Sequence, residues 1–367
     1  MAKIKALSIF SFVIFMIVGC NDDKKSIQNQ IGFNRDPLLL RYAEGIILPN
    51  LQLLKTKVDS LNTSVVQFET SINFSNFKLL QSTYKNAALQ YANCDAYNFG
   101  PGLDANGIGL SENLNTFPAN TSLIESNISS SNFSTANFNR DTRGFPAIDY
   151  LLFDLNGVDS IAFNNLKTNT SRIKYLKSII ADLKTKTDKV LSDWQIYKST
   201  FLERNGTDAA SSVSSLYNEW IHSFEISKNY RLALPLGKRA GQTTVQPELL
   251  EAYYSGYSFD LLKQNMISFQ NLYYGIGPDN VNGVGLDDFL KAVSTGSETH
   301  TEIENSFKNI NAIITKYNGL KMKDNVISND PNLNELHTEL LKLTRFVKSE
   351  MSSKLGISIT YSSGDGD

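Results

Sequence analysis

The chain has 367 residues, with 35 Lys plus Arg against 37 Asp plus Glu and a formal net charge of −2, so it has no basic surplus with which to hold nucleic acid. At 41% hydrophobic it can bury a sizeable core, and its length suits about two domains, while only 22 Gly and 9 Pro exclude a collagenous or Pro-rich disordered chain. Two cysteines and three histidines exclude a Cys-rich zinc module, an iron–sulfur centre and a disulfide scaffold.

The N-terminus reads as an address. Lys3 and Lys5 precede an apolar stretch over residues 6–19, too short to span a bilayer. It ends in Ile17-Val18-Gly19-Cys20, which resembles a bacterial lipobox. Residues 1–19 are therefore expected to be a lipoprotein signal peptide, with Cys20 lipidated and anchoring the protein to a membrane of the cell envelope; an ordinary signal peptide or a short anchor is the alternative. The location implied is the outer membrane, facing the periplasm or the surface. Residues 20–35 read as a tether, and Asn21-Asp22-Asp23 places acid rather than a polybasic patch beside the anchor. Cys94 reads as a small buried hydrophobe without chemistry.

The rest reads as helices. Asp36-Pro37 opens the first, Pro49 is expected to kink or break it, and helical spacing resumes from Leu51 to Phe68. Further helices are expected over 76–97, from a Ser171 cap through Trp194, and over 209–228, 247–273 (opened by Pro247), 298–317 and 332–354. Residues 111–140, rich in Ser and Asn, read as a surface loop, and 357–361 is the best of few strand patterns before the tail 357–367. The fold class is all-α. Two similar segments, Tyr97-Asn98-Phe99-Gly100-Pro101 leading to Asn106-Gly107-Ile108-Gly109-Leu110, and Tyr274-Gly275-Ile276-Gly277-Pro278 leading to Asn282-Gly283-Val284-Gly285-Leu286, suggest two related helical bundles, 36–198 and 199–356. Neither segment is a phosphate loop or a calcium loop: no Lys-Ser/Thr follows the glycines, and counting from Asp104 or Asp279, position twelve is Asn115 or Leu290 instead of Glu.

The segment 143–153, Arg143-Gly144-Phe145-Pro146-Ala147-Ile148-Asp149-Tyr150-Leu151-Leu152-Phe153, resembles the imelysin-like family. Similar stretches cover 84–101, 172–194, 211–237 (with Glu225, Lys228, Arg231 and Pro235-Leu236-Gly237) and 248–256. The resemblance implies a bacterial envelope protein linked to iron uptake and catalogued with metallopeptidases, built of two helical bundles with the signature Gly-x-His-x-x-Glu where they meet. Gly144 keeps that signature, but Pro146 stands at the His position and Asp149 at the Glu position. Proline has no ligand atom and suits a first helical turn, so the segment reads as a ligand platform converted into a helix start, with Asp149 facing N-terminal N–H groups. No His-Glu-x-x-His is present, and His222, His300 and His337 are scattered. His222 with Glu225 and His300 with Glu304 have helical spacing for a divalent ion only if partners come from elsewhere. The expected site is a pocket between the domains, where Asp149, Glu225 and Glu251 (with His222 a further candidate) are oxygen or nitrogen donors for iron or another divalent or trivalent cation. Arg143, Arg231 and Lys228 complete it as cations that could orient an anionic ligand. The expected function is a binding or accessory component of iron uptake, not proteolytic; a metallopeptidase and a structural or partner-binding envelope module are the alternatives, and an envelope protein partner fits either.

Overall fold

In the computed structural model, residues 32–136, 139–293 and 295–361 are described. The expected signal peptide, Cys20 and most of the tether lie outside them, as does the end of the tail after residue 361. All regular secondary structure among the described residues is helical, as the sequence implies, and two isolated antiparallel bridges stand in place of strands. No helix there is long and apolar enough to cross a membrane.

Three long helices, Leu48–Thr70, Phe74–Ala92 and Thr170–Glu203, pack side by side through an aliphatic and aromatic seam that includes Leu54, Val58, Leu61, Leu80, Ile180 and Leu183. Asn73 and Asn169, rather than Ser171, cap two of them, each side chain accepting the backbone N–H three residues on. The second group comprises Ser212–Ile226, Ser258–Tyr273, Gly296–Ile314 and Pro331–Thr344, centred on Trp220, which stacks on Phe269 at 4.2 Å between ring centroids and donates its indole N–H to the Phe269 carbonyl at 2.9 Å. Ser258–Tyr273 also lies against Phe74–Ala92, and Lys85 pairs with Asp260 across that contact at 2.7 Å. One apolar core runs from Leu38 to Ile357, and Thr170–Glu203 continues through the expected boundary at 198/199. The two Gly-rich segments share a local device: each closes on an antiparallel bridge, Leu103 with Gly109 and Ile276 with Asn282, and each leads into a short helix, Leu110–Leu114 or Leu286–Lys291.

Several expectations change in the structure. Pro49 breaks nothing. The helix Asp36–Leu40 passes without interruption into a π-helical turn, Arg41–Ile47, and then into Leu48–Thr70. In an α-helix the N–H of residue 49 would bond to the Gly45 carbonyl; proline has none, and the wider turn upstream accommodates the ring. The Gly45 carbonyl instead faces the loop after Tyr273, so closely that a Cβ on Gly277 would lie 2.0 Å from its oxygen. Residues 111–140 are more than loop: Asn120 accepts from the Leu123 N–H and caps the helix Thr121–Ser129, which buries Ile124 and Ile128. The helix expected from Pro247 is a single turn, Pro247–Leu249, and regular helix resumes only at Ser258. Residues 357–361 form no strand; the Asn218 side chain pairs with this stretch, its amide donating to the Ser358 carbonyl at 3.0 Å and accepting from the Thr360 N–H at 2.7 Å.

Gly277→Ala should cost about 1–3 kcal/mol, because the added methyl would meet the Gly45 carbonyl, a backbone group that has no flexible side chain to move aside. Urea unfolding would read this as a lower midpoint with an unchanged slope.

Candidate functional site

The segment with the degenerate signature starts a helix by a local steric rule. Gly144 has φ +72°, and a Cβ there would lie 2.2 Å from the Leu114 carbonyl oxygen, so only glycine fits between the extended Arg143 and the helix Gly144–Leu152. Pro146 falls in the first turn, where an N–H has no intrahelical partner to lose. Its ring lines two small cavities. One, of about 10 Å³, is bordered by Tyr91, Arg231 and Glu251; the other, of about 30 Å³, is bordered by Asp149, Glu248 and Tyr254. These hold on the order of one or two waters.

Asp149 is buried in the middle of that helix. It accepts the backbone N–H groups of Tyr254 at 3.0 Å and Ser255 at 3.3 Å, and the Tyr84 hydroxyl at 3.2 Å. The N–H groups facing it therefore come from another segment and not, as expected, from its own helix start. That segment, residues 250–257, is the turn that interrupts the expected helix after Pro247. Ala252 at φ +52° and Gly256 at φ +77° bend it, so that successive N–H groups converge on one carboxylate as a small anion cradle. Burial raises the Asp149 pKa to about 6, even though the donors of Ser255, Tyr254 and Tyr84 favour the charged form.

Arg231 forms the second centre. It lies in the π-helical turn Ser227–Ala233 that continues the helix Ser212–Ile226. It is buried and donates to Asp95 at 2.9 and 3.3 Å, to Glu251 at 2.7 Å and to the Ser227 hydroxyl at 3.0 Å. Asn115 donates to the other Glu251 oxygen at 2.5 Å. Burial opposes the guanidinium charge, but Asp95 and Glu251 outweigh it and hold the pKa above the ordinary arginine value.

The structure thus brings Asp149, Glu251 and Arg231 to either side of Pro146 and leaves the other expected residues elsewhere. Glu225 is tied to Lys348 at 2.7 Å and to the Tyr361 hydroxyl at 2.8 Å. His222 turns to Glu219, three residues before it, at 3.1 Å rather than to Glu225, three residues after it. His300 does meet Glu304, at 3.4 Å, but its other ring nitrogen meets the Tyr273 hydroxyl at 2.8 Å. Arg143 reaches the Thr135 carbonyl and the Asn113 side chain, and the buried Lys228, after burial itself and Lys238, helps lower the His337 pKa to about 4. Cys94 is buried and its thiol pKa is pushed up by burial, as befits a packing residue.

A cation bound by Asp149, Glu225 and Glu251 does not fit these residues. Asp149 and Glu251 already accept bonds on both oxygens, a guanidinium occupies the space beside Glu251, and Glu225 points to different partners. Among the described residues no group of three or more His, Cys, Asp or Glu side chains is placed to hold a metal ion. Asp95, Asn115, Tyr84 and the 254–255 backbone are the members that sequence reasoning missed. Asp95 lies within the family-like stretch 84–101, and a lone acid among Tyr91, Ala92, Ala96 and Tyr97 is a signal of a buried partner for a distant cation.

The Imelysin family model matches residues 47–345. No curated protein matches. Among solved structures, a protein described as an iron-regulated protein A precursor from Parabacteroides distasonis aligns with a TM-score of 0.66 at 17% identity, over 87% of this chain and 94% of that one. An imelysin-like protein from Psychrobacter arcticum aligns with a TM-score of 0.68 at 15% identity, over 89% of this chain and 97% of that one. These identities speak to the fold.

Arg231→Met should destabilise the protein by about 3–5 kcal/mol, since Asp95 and Glu251 would remain buried without their cation. For Asp149, a pKa that rises from 3.8 to about 6 on folding gives stability that is complete below about pH 4 and lost as pH climbs through about 6, on the order of 3 kcal/mol. Asp149→Asn should remove that component. Urea titrations of both proteins between about pH 4 and 7 should show a shallower decline for the variant.

Proposed function

The chain belongs to the imelysin family, and from that premise we propose that it is a non-proteolytic member: a binding or accessory component of the bacterial cell envelope associated with iron uptake and tethered through Cys20. The observation that carries the non-proteolytic part is the use already made of the signature's carboxylates. A zinc-type peptidase needs about three protein ligands, an open coordination position and a general base. Here the His position is Pro146, the acid at the Glu position is fastened to two backbone N–H groups, and Glu251, on the other side of Pro146, is fastened to Arg231. The association with iron is supported by the description of the Parabacteroides relative in fold as an iron-regulated protein; the tether is supported by the Gly19-Cys20 junction after an apolar stretch.

What remains for the motif region is mechanical. The Gly144–Leu152 helix, the 250–257 turn and the Ser227–Ala233 turn are locked to one another by buried charge–dipole and ion-pair contacts, which gives a rigid face on which a partner or ligand can be recognised.

Incubation of the full chain with unfolded casein, with zinc, manganese or ferrous iron added in turn, should yield no cleavage beyond a chelator-treated control. Cleavage that vanishes with chelator and in Asp149→Ala would overturn the proposal. For the tether, Cys20→Ser should move the protein from the membrane to the soluble fraction of its native cells, and growth in iron-depleted medium should raise its abundance in the envelope. An unchanged distribution or an unchanged abundance would sink the corresponding part.

A further inference from the structure

A larger cavity lies away from the signature. It measures about 220 Å³ and lies between the first long helix, the end of Phe74–Ala92, the helix Ser258–Tyr273 and the Gly-rich loop that follows it. Its chemistry differs from the ion-paired motif region, because none of its lining residues is Asp, Glu, Lys, Arg or His. Amides dominate it, and they are linked in series. Gln264 donates to Asn93 at 2.7 Å, Asn93 to Gln90 at 3.3 Å, Gln90 to Asn50 at 3.2 Å, and Asn50 to the Tyr97 hydroxyl at 3.0 Å. Tyr97 is fully buried and its pKa is raised by burial, so it stays neutral.

The series fixes the amides without exhausting them. Each amide carries two N–H donors and an oxygen with two lone pairs; the series uses one donor each from Gln264, Asn93 and Asn50, while the Gln90 amide also reaches the Asn50 carbonyl at 3.1 Å. Beyond it, the Gln264 oxygen and both polar atoms of the Asn271 and Asn280 side chains have no hydrogen-bond partner among the described residues. Between them lie the apolar walls Ile46, Ile267, Leu272 and Ile276.

The outer rim is held in place. Arg41, in the π-helical turn of the first helix, donates to the Gly275 carbonyl at 2.8 Å and pairs in bidentate fashion with Asp279 at 2.9 and 3.0 Å, which lowers the Asp279 pKa to about 2. The close approach of Gly277 to the Gly45 carbonyl fixes the same loop from the other side.

Charged ligands find no counter-charge inside, and purely apolar ones would strand the free amide groups. A ring bearing several hydroxyls satisfies both demands: each hydroxyl donates and accepts, matching an amide, and the C–H face of the ring covers aliphatic wall. We infer that this amide-lined cavity is a binding site for a neutral polyhydroxylated ligand of the size of a monosaccharide. The site is separate from the signature and stands whether or not that region has a role in iron uptake.

Saturation-transfer NMR on the full chain in detergent, with glucose, galactose and N-acetylglucosamine as neutral probes and glucuronate, methyl phosphate and glycylglycine as counter-probes, tests this. The expected result is transfer to at least one neutral sugar, with a Kd of about 1 mM or tighter, and none to the counter-probes. Binding should weaken by about tenfold or more in Asn271→Ala and in Asn280→Ala. Asn280 sits on the exposed loop, so its truncation reads binding without disturbing a helix, and circular dichroism checks that both variants fold. Silence from all three sugars, sugar binding unchanged in both folded variants, or preference for a counter-probe would overturn the inference.

Discussion

A guanidinium removed from water governs the middle of this molecule. Arg231 is 3% exposed, and an isolated cation at that depth would cost several kcal/mol in lost hydration. The cost is offset only because two carboxylates and a hydroxyl arrive from three directions: Asp95 from beyond the end of Phe74–Ala92, Glu251 from the turn before Ser258, and Ser227 from its own turn. None of the three partners sits in a regular α-helix. The charge cluster therefore acts as a geometric constraint, holding the two helical groups in one relation by the penalty of separating them.

The Asp149 cradle follows from the same placement. Glu251 and the N–H groups of residues 254 and 255 belong to one short turn, so fastening Glu251 to Arg231 presents those N–H groups to the Gly144–Leu152 helix. An aspartate reaches them, and the proline one turn earlier lines the small cavities on either side. Pro146 and Asp149 are thus coherent with each other. Pro146 offers no ligand atom, and the Asp149 carboxylate is anchored to backbone N–H groups.

Three π-helical turns, Arg41–Ile47, Ser227–Ala233 and Arg345–Met351, each carry a cation that makes a long-range ion pair: Arg41 with Asp279, Arg231 with Asp95 and Glu251, Lys348 with Glu225. A π turn widens the helix and redirects one side chain relative to the α-helical stripe, which lets a polar group reach across a face that is otherwise apolar. The first of these turns also accommodates Pro49 and holds the rim of the amide cavity, so one local irregularity serves both the helix and the site beside it.

The periodic apolar stripes of the long helices, with the scarcity of Gly and Pro, determined by themselves that the protein is all-α, because burying a helical face depends on spacing that is written locally. The separated motifs likewise marked the family. Sequence could not show that Asn120 caps a helix within a Ser- and Asn-rich stretch, nor that Pro49 would be absorbed by a π turn, since both depend on which carbonyls and apolar surfaces come to lie nearby. Nor could it sort the charged residues. Glu225 and Glu251 look alike in the chain, yet one meets Lys348 and the other Arg231, because partners more than a hundred residues away, or on a turn whose shape only packing sets, decide which ion a buried carboxylate faces. Charge pairing and cavity shape are properties of the assembled helices, while helix formation is a property of the string.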